Sequence, residues 1–298
     1  MKTKWLIEKN LFTDTEPYLI KVLKKKQIEY KLIEYIPFEN DLSYISKLFN
    51  DDDCVVFYGS LNLGIKIKRY VKWIPGVYLD ETKYNCTSYY PIFGDLLVHK
   101  NYTMLPFGDL IRRKDYLYNL YNKSGHSGHI FIRPNSGLKD FTGTVLSYNN
   151  YEEGIKLCGF YDINPDLLVI VSDVKALHKE WRFVVVNQEV ISGSLYRDWS
   201  YPETIIPGTT TKDYILMGSH SINELCTNDK AYNFANKCAK LFNPEHVWTL
   251  DVTEMNGEFG LLEVGSFSGA GLYGNDLNII VDKVSKAAEE EWNEYNII

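Results

Sequence analysis

The chain has 298 residues, 45% hydrophobic and 24% charged, with a formal net charge of −7, which supports two or three packed units and argues against a broad nucleic-acid-binding surface. Its five cysteines are scattered without a CxxC spacing, which indicates reduced thiols and neither a disulfide framework nor a zinc site. Because no signal peptide and no run of about 18 apolar residues is visible, we expect a soluble cytoplasmic protein without a membrane segment.

Strands and helices alternate through the first third of the chain. The continuous apolar run Cys54–Tyr58 is typical of a strand that is buried on both faces of a parallel sheet. Further strands are predicted at residues 4–7, 31–36 and 77–79, and helices at residues 18–23, 43–49 and 63–73. This order predicts a small open α/β domain over residues 1–95. Gly59 and Ser60, between a strand and a helix, form either an anion site at the helix N-terminus or a plain tight turn.

The rest of the chain has a different pattern. Residues 96–121 are predicted to be helical in two pieces, with a break near Pro106. Further helices are predicted at residues 151–160, 229–242 and 275–295, and strands at residues 130–133, 144–147, 167–174, 182–186 and 190–195. Residues 198–212 are predicted to form a loop. Because most of these strands are joined by short turns, residues 96–298 are predicted to be α+β with largely antiparallel strands.

An acidic hairpin is predicted near the C-terminus. Asn256 and Gly257 favour a tight turn between two strands, which places Asp251 and Glu263 on adjacent strands with side chains about 5 Å apart. Two carboxylates this close repel each other unless a cation lies between them, and oxygen ligands of this kind suit Mg²⁺. A run of small residues, 265–271, follows and allows a close backbone approach to a ligand. The alternative is an ordinary hairpin with acids on its solvent face.

A second stretch that could form part of a binding site lies upstream, at residues 130–143. A strand ends in Arg133, a glycine- and serine-containing loop follows, and Lys139 lies within that loop. Small residues leave backbone N–H groups free to bind phosphate oxygens, and the two cations supply charge. The stretch is neither a Walker loop nor a Rossmann fingerprint, because the patterns GxxxxGK[ST] and GxGxxG are both absent. A solvated hairpin loop with two cations is the alternative.

An apolar strand at residues 167–174 connects these two stretches. It contains Ser172 and Asp173 near its end, and the acid-x-Arg pair Glu180 and Arg182 follows. In a nucleotide site, Asp173 would accept a hydrogen bond from a ribose, the adjacent backbone would contact adenine, and Arg182 would point toward phosphate. The alternative is a core strand with a neighbouring edge hairpin.

The order of these parts resembles the ATP-grasp superfamily of carboxylate–amine ligases. In detail it is similar to compact phage or bacterial members that carry an arginine, here Arg133, in place of the first phosphate-binding lysine. The resemblance implies an N-terminal pre-ATP-grasp α/β domain over residues 1–95. It also implies an ATP-grasp fold whose two α+β subdomains, residues 96–175 and 176–298, clasp the nucleotide.

The resemblance also implies a role for each motif residue. Residues expected to bind ATP are Arg133, Ser136, Gly137, Lys139, Thr142, Gly143, Ser172, Asp173, Val174 and Glu180. Residues expected to act in catalysis are Arg182, Lys139 and Arg197, the last as a carboxylate or phosphate clamp. Asp251, Glu263 and Ser266 are expected to hold Mg²⁺. The family usually has Asn two residues after the second acid, where this chain has Gly265, so a serine or a water would supply that oxygen.

The chemistry that the resemblance implies is amide formation. A small-molecule, peptide or protein carboxylate attacks the γ-phosphate of ATP to give an acyl-phosphate, and an amine then displaces phosphate. No protein nucleophile is needed, only placed cations, a metal and exclusion of water. Two alternatives remain open: a degenerate nucleotide-binding protein that acts through partners, favoured by Gly265, and a small-molecule kinase on the same fold. The acidic net charge disfavours a nucleic-acid substrate.

Overall fold

The computed structural model describes residues 1–36, 43–121, 128–158, 163–199 and 220–296. Its strands are β1 (Lys4–Glu8), β2 (Tyr30–Ile33), β3 (Cys54–Tyr58), β4 (Ile74–Gly76), β5 (Tyr102–Pro106), β6 (His129–Pro134), β7 (Thr144–Ser147), β8 (Leu168–Ser172), β9 (Lys179–Val186), β10 (Glu189–Asp198), β11 (His220–Leu225), β12 (Val247–Met255) and β13 (Glu258–Ser266). Its α-helices are α1 (Glu16–Lys25), α2 (Leu61–Tyr70), α3 (Cys86–Phe93), α4 (Phe107–Arg112), α5 (Lys114–Tyr121), α6 (Tyr151–Cys158), α7 (Asp229–Leu241) and α8 (Leu277–Asn296).

The described strands form three sheets. The first sheet has the order β2-β1-β3-β4 and is parallel throughout. The second and third sheets have the orders β5-β8-β6-β7 and β11-β10-β9-β12-β13, and both are antiparallel. These sheets confirm the predicted combination of an open α/β unit with α+β units. Their strands lie within residues 4–76, 102–172 and 179–266, while the domain boundaries themselves stay a prediction.

The C-terminal helix α8 joins the first and third sheets. Its buried face, which includes Ile280, Val281 and Val284, lies in one apolar cluster with Trp5 of β1 and Val184 of β9. The core of the first sheet is built from β3, all of whose residues are buried. Burial of apolar area contributes about 25 cal/mol per Å², so α8 contributes strongly to holding the N-terminal unit against the third sheet. Within the described ranges, no helix combines the length and apolar character needed to cross a membrane.

The turn at Gly59 and Ser60 is not open to an external anion. The Ser60 N–H donates to Glu8 Oε2 at 2.7 Å, and the Ser60 hydroxyl accepts from Leu63 N at 3.3 Å at the start of α2. A carboxylate of the chain itself therefore occupies the position that a bound anion would take. The tight-turn alternative is the one that the structure supports.

Some predicted elements were wrong. Residues 102–106, predicted as helix, form strand β5 because they pair with β8, a partner distant in sequence. The strand predicted at residues 77–79 lies three residues earlier, at Ile74–Gly76. Neither α3, which is rich in aromatic residues and contains Pro91, nor β11 was predicted. In each case tertiary packing outweighs local propensity.

Candidate active site

The acidic hairpin forms as predicted. Asn256 and Gly257 both have positive φ, 51° and 82°, as a two-residue type I′ turn requires. The pairing follows this turn from Met255–Glu258 to Val252–Leu261, and a bulge at that point makes Asp251 and Glu263 direct cross-strand partners on β12 and β13. Asp251 is 2% exposed, whereas the Glu263 side chain is 26% exposed. The pair thus has one buried carboxylate and one that reaches toward solvent.

Arg182 links both acids. It lies on β9 directly opposite Asp251, and its Nε and Nη2 donate to Oδ1 and Oδ2 of Asp251 at 2.8 and 2.7 Å. Nη2 also lies 3.6 Å from Glu263 Oε1, and Nη1 donates to the Gly271 carbonyl at 3.3 Å. Such a bidentate pair fixes the guanidinium plane. The N–H groups of Nη1 and Nη2 not used in this way are the ones available to a phosphate oxygen.

Two stacked tyrosine rings lie beside this guanidinium. Tyr196 and Tyr273 stack with ring centroids 4.8 Å apart, and the Arg182 Cζ atom lies 5.5 and 5.2 Å from them. Tyr273 has φ of 47°, a conformation that non-glycine residues adopt rarely and most often at functional sites. Cation–π contact of this kind further restrains Arg182. The sequence carried no signal for Tyr273, because its position follows from the path of residues 271–276.

Glu263 lies between cations from two sheets. Arg133, at the end of β6, donates from Nη2 to Glu263 Oε2 and from Nη1 to the Leu262 carbonyl, both at 3.1 Å. Lys139 is exposed in the loop after β6 and has φ of 60°. Burial opposes ionisation of Glu263, but the positive charges of Lys139, Arg133 and Arg182 outweigh it and lower its pKa to about 2. Glu263 is thus a permanent anion at neutral pH.

The hairpin acids supply a donor set that fits Mg²⁺. No group of three or more His, Cys, Asp or Glu side chains in the described part of the chain is arranged to hold a metal ion. Mg²⁺ is typically held by one or two carboxylates together with substrate phosphates and water, so two carboxylates are enough in number. Both oxygens of Asp251 also accept from Arg182, which leaves the more exposed Glu263 as the more accessible of the two acids. Ser266 is not brought to them. It pairs with Trp248 and is an odd number of residues from Glu263, so its side chain leaves the opposite face of the strand.

Gly265 lies on the same face as Glu263 and has free space. A Cβ atom there would meet only Thr249 Oγ1, at 3.4 Å. We expect Gly265→Asn to keep the wild-type unfolding free energy within about 0.5 kcal/mol, because the site is open and the backbone is unstrained. We also expect a severalfold decrease in the Mg²⁺ concentration for half-maximal ADP formation, because an amide oxygen is added beside the carboxylates.

The measurement for Gly265→Asn is a Mg²⁺ titration of ADP release. Glu258→Asn, at the exposed start of the same strand, is the matched control and is expected to leave the titration unchanged. An identical Mg²⁺ dependence for Gly265→Asn and the wild type would show that position 265 does not face the metal.

The loop after β6, residues 135–143, is called the phosphate loop here after its predicted role. Its first part is tightly turned. The Ser136 hydroxyl accepts from Leu138 N at 3.0 Å, so this side chain is used within the loop. Gly137 lies against Tyr84, and an added Cβ would be 2.7 Å from the Tyr84 Cβ atom. No larger residue fits at position 137 without a shift. The backbone N–H groups of Asn135, Gly137 and Leu138 also have partners within the protein, so this part of the loop is held in a fixed conformation.

The second part of the loop leads into β7. Thr142 and Gly143 are both exposed. Gly143 lies beside the Phe131 ring, where an added Cβ would approach the ring to 2.9 Å. A glycine here lets the loop pass close to the sheet, while the Thr142 side chain is free to face a ligand.

The end of β8 carries a spare acceptor. Asp173 Oδ2 accepts from Lys175 Nζ at 2.7 Å, but Asp173 Oδ1 is buried and has no hydrogen-bond partner among the described residues. A buried unpaired oxygen costs about 1–3 kcal/mol, so a hydroxyl-bearing ligand at this position would remove a penalty. The Ser172 hydroxyl, in contrast, is buried and lies 2.8 Å from His99 Nδ1. Val174, which follows Asp173 in the chain, is also buried.

His99 is a site residue that the sequence analysis missed. Its ring stacks on Phe131 with centroids 4.3 Å apart. Burial, followed by the charges of Arg133 and Lys175, lowers the His99 pKa to about 3. The imidazole ring is therefore neutral near pH 7, and its Nδ1 atom is the hydrogen-bond partner of the Ser172 hydroxyl. A lone histidine in an unremarkable stretch of sequence gave no signal for this role.

Glu180 and Arg197 face each other across β9 and β10. Glu180 is 3% exposed and accepts from the Tyr196 hydroxyl and from the Trp199 indole N–H. Burial raises its pKa. Its oxygens are therefore engaged within the protein. Arg197 is exposed, with its Cζ 5.9 Å from the Tyr196 ring and 5.3 Å from the Trp199 ring. Residues 200–212 of the predicted loop lie outside the described residues.

Comparison with protein families matches residues 111–282, more than half of the chain, to the ATP-grasp domain, R2K clade family 2. Among solved structures, the fold is similar to D-cycloserine synthetase DcsG, with TM-score 0.62, 13% identity and coverage of 96% of this chain and 99% of that one.

Two further structures carry ligands. D-alanine–D-alanine ligase from Bacillus anthracis complexed with ATP has TM-score 0.60, 10% identity and 99% coverage of both chains. ATP-grasp ligase PsnB complexed with minimal precursor, Mg and ADP has TM-score 0.52, 10% identity and coverage of 96% of this chain and 97% of that one. A sequence comparison with curated proteins found no match. At these identities the structural likenesses establish the fold alone.

Proposed function

The chain belongs to the ATP-grasp superfamily, in family 2 of its R2K clade, and from this premise we propose that it is a Mg²⁺-dependent ligase that joins a carboxylate to an amine with release of ADP and phosphate. The observation that carries the proposal is the convergence of Arg133 and Arg182 on the Asp251–Glu263 pair, with Lys139 as a further cation in the loop that follows Arg133. A tetra-anionic nucleotide needs this combination of cations for its phosphates and acids for its metal.

The proposed reaction has two steps. In the first, a substrate carboxylate oxygen attacks the γ-phosphorus, the bond between the γ-phosphorus and its bridging oxygen breaks, and ADP leaves. In the second, an amine nitrogen attacks the acyl carbon, phosphate departs with the carboxylate oxygen, and the amine gives up a proton. When bound, Mg²⁺ would be held by Asp251 and Glu263 and would supply positive charge to phosphate oxygens.

The residues of the chain supply positioning and charge. Arg182, held by Asp251 and two tyrosine rings, would present its remaining N–H groups to the transferred phosphoryl group without reorganising. Arg133 would take the place of the first phosphate-binding lysine of other members, beside Lys139. Arg197, exposed between two aromatic rings, would bind a carboxylate or phosphate of the acceptor.

The nucleoside would lie at the end of β8. The unpaired Asp173 Oδ1 suits a ribose hydroxyl, and the backbone at Ser172–Val174 suits adenine. Subdomains at residues 96–175 and 176–298 would then enclose ATP from its two sides. The side chains of Ser172 and Glu180 would support the site without contacting the nucleotide, since they are engaged with His99 and with Tyr196. We expect the protein to act in the cytoplasm, on small-molecule or peptide substrates.

Product mass decides between this function and its competitors. Purified protein is incubated with ATP, Mg²⁺ and pooled amino acids and peptides, and new species are sought by mass spectrometry. Ligation gives a product whose mass is that of the acid plus the amine minus water. A phosphorylated acceptor as the final product would establish the kinase alternative. ATP binding without any product, also with cell extract, would establish the nucleotide-binding alternative.

A further inference from the structure

The phosphate loop begins at a junction between the second and third sheets. Asn135, directly after β6, donates its backbone N–H to the Leu168 carbonyl at 2.9 Å, which anchors it to β8 of the second sheet. Its other contacts are to the start of α3. Cys86 N donates to the Asn135 carbonyl and Thr87 N to Asn135 Oδ1, both at 2.8 Å.

Asn135 thereby caps α3 from outside that helix. The residue at the N-cap position of α3, Asn85, makes no side-chain capping bond, so the first N–H groups of α3 depend on Asn135. Tyr89 and Tyr90 of α3 lie in one buried cluster with Leu261 of β13, and the Tyr90 ring also contacts the Tyr102 ring of β5, with centroids 4.8 Å apart. Helix α3 therefore packs against residues of both the second and the third sheet, and the side chain of Asn135 connects the loop to this helix.

The loop beyond Asn135 continues along the same surface. Gly137 N donates to Asn85 Oδ1 at 3.4 Å, and Leu138 packs against the apolar cluster of the N-terminal unit that includes Leu79. Lys139 follows at once, in a left-handed conformation. The docked loop thus fixes the backbone from which the Lys139 side chain extends.

We propose that Asn135 is a positioning residue that docks the phosphate loop on α3 and so fixes the backbone that carries Lys139. The inference rests on the proposed function, since its consequence is tighter binding of the ATP phosphates. Both acceptor oxygens of Asn135 serve this docking: its side-chain oxygen accepts from Thr87 N and its carbonyl from Cys86 N.

Two variants separate the capping oxygen from the rest of the side chain. Asn135→Ala removes the acceptor, while Asn135→Asp keeps an acceptor oxygen and places a favourable charge at a helix N-terminus. The first readout is amide hydrogen exchange at Cys86, Thr87 and Gly137 in ligand-free protein. We expect exchange to rise about tenfold in Asn135→Ala and to stay close to the wild-type rate in Asn135→Asp.

The second readout is a double-mutant cycle on the affinity for a non-hydrolysable ATP analogue with Mg²⁺. We expect Asn135→Ala to weaken binding about tenfold and Lys139→Ala to weaken it more. The double variant should bind as Lys139→Ala alone does, because a residue that acts through Lys139 has nothing left to position.

Asn228→Ala is the matched control. The Asn228 side chain caps α7 by accepting from Lys230 N and Ala231 N at 3.0 and 3.1 Å, away from the acid pair. This variant should be less stable than the wild type, as expected for a lost cap, and keep the wild-type affinity for the analogue.

Three results would overturn the inference: unchanged exchange in Asn135→Ala, a loss in Asn135→Asp as large as in Asn135→Ala, or additive losses in the cycle. The exchange readout needs no nucleotide. A protein that binds or turns over no ATP would therefore refute the proposed function, while exchange would still decide whether Asn135 docks the loop.

Discussion

Arg182→Lys is expected to lower the rate of ADP formation by about 10³-fold, the scale found when an arginine that stabilises a transferring phosphoryl group is lost. Lysine keeps the charge but cannot reproduce the two parallel bonds to Asp251 or the contact with both tyrosine rings. The free energy of unfolding should also fall, by up to about 3 kcal/mol, because the Asp251 carboxylate stays buried with an inferior partner. Steady-state ADP release and urea unfolding measure the two effects.

Arg69→Lys is the control for Arg182→Lys. Arg69 also donates to both oxygens of a carboxylate, Glu81, at 3.0 Å, but on the surface, with its side chain 60% exposed. Exposed pairs contribute about 0–1 kcal/mol, so this variant should match the wild type in both measurements. Retention of turnover within tenfold by Arg182→Lys would show that Arg182 is a structural partner of Asp251 and does not act on phosphate.

Glu263→Gln is expected to reduce Mg²⁺-dependent ADP formation by at least about 10²-fold, because an amide is a much weaker ligand for Mg²⁺ than a carboxylate. The fold should persist, since glutamine has the same shape and its carbonyl can still accept from Arg133. Glu258→Gln, at the exposed start of the same strand, should be silent. Near-wild-type turnover and Mg²⁺ dependence in Glu263→Gln would remove the hairpin from the metal site.

The direction of the pKa shift fixes the pH range in which Glu263 matters. Its pKa is about 2 in the folded protein, below the ordinary value of 4.5, so its ionisation stabilises the folded state above about pH 4.5. That contribution is lost as pH falls through 2. Between pH 5 and 8 the charge on Glu263 is constant, so replacing it with glutamine should change the size of the rate there and not the shape of the pH profile.

The parts of the site that follow from local rules were predictable from sequence. The Asn256-Gly257 turn predicts the hairpin, but its regular register would place Asp251 opposite Leu262, and a bulge between Val252 and Asp251 shifts the pairing so that Asp251 lies opposite Glu263. Strand alternation from Glu263 onward argues against Ser266 as a ligand, because an odd spacing from Glu263 puts it on the other face.

The parts that depend on contacts distant in sequence were not predictable. Strand β5 exists because β8 pairs with it, and His99 matters because the chain after α3 brings it against Ser172. Tyr273 joins Arg182 only through the path of the segment before α8. In the sequence, Asn135 is one polar residue in a loop. Its role depends on α3, which was not predicted and whose N-terminus Asn135 caps.

The most direct test of the account is ADP release with ATP and Mg²⁺ against a panel of amino acids and peptides, for the wild type beside an Asp251→Asn/Glu263→Gln double variant. We expect release from the wild type to rise with a particular acid and amine, and the double variant to show no such rise while still folding. ATP binding by the wild type without turnover in any mixture, or an equal rise in the double variant, would contradict a ligase site at the acid pair.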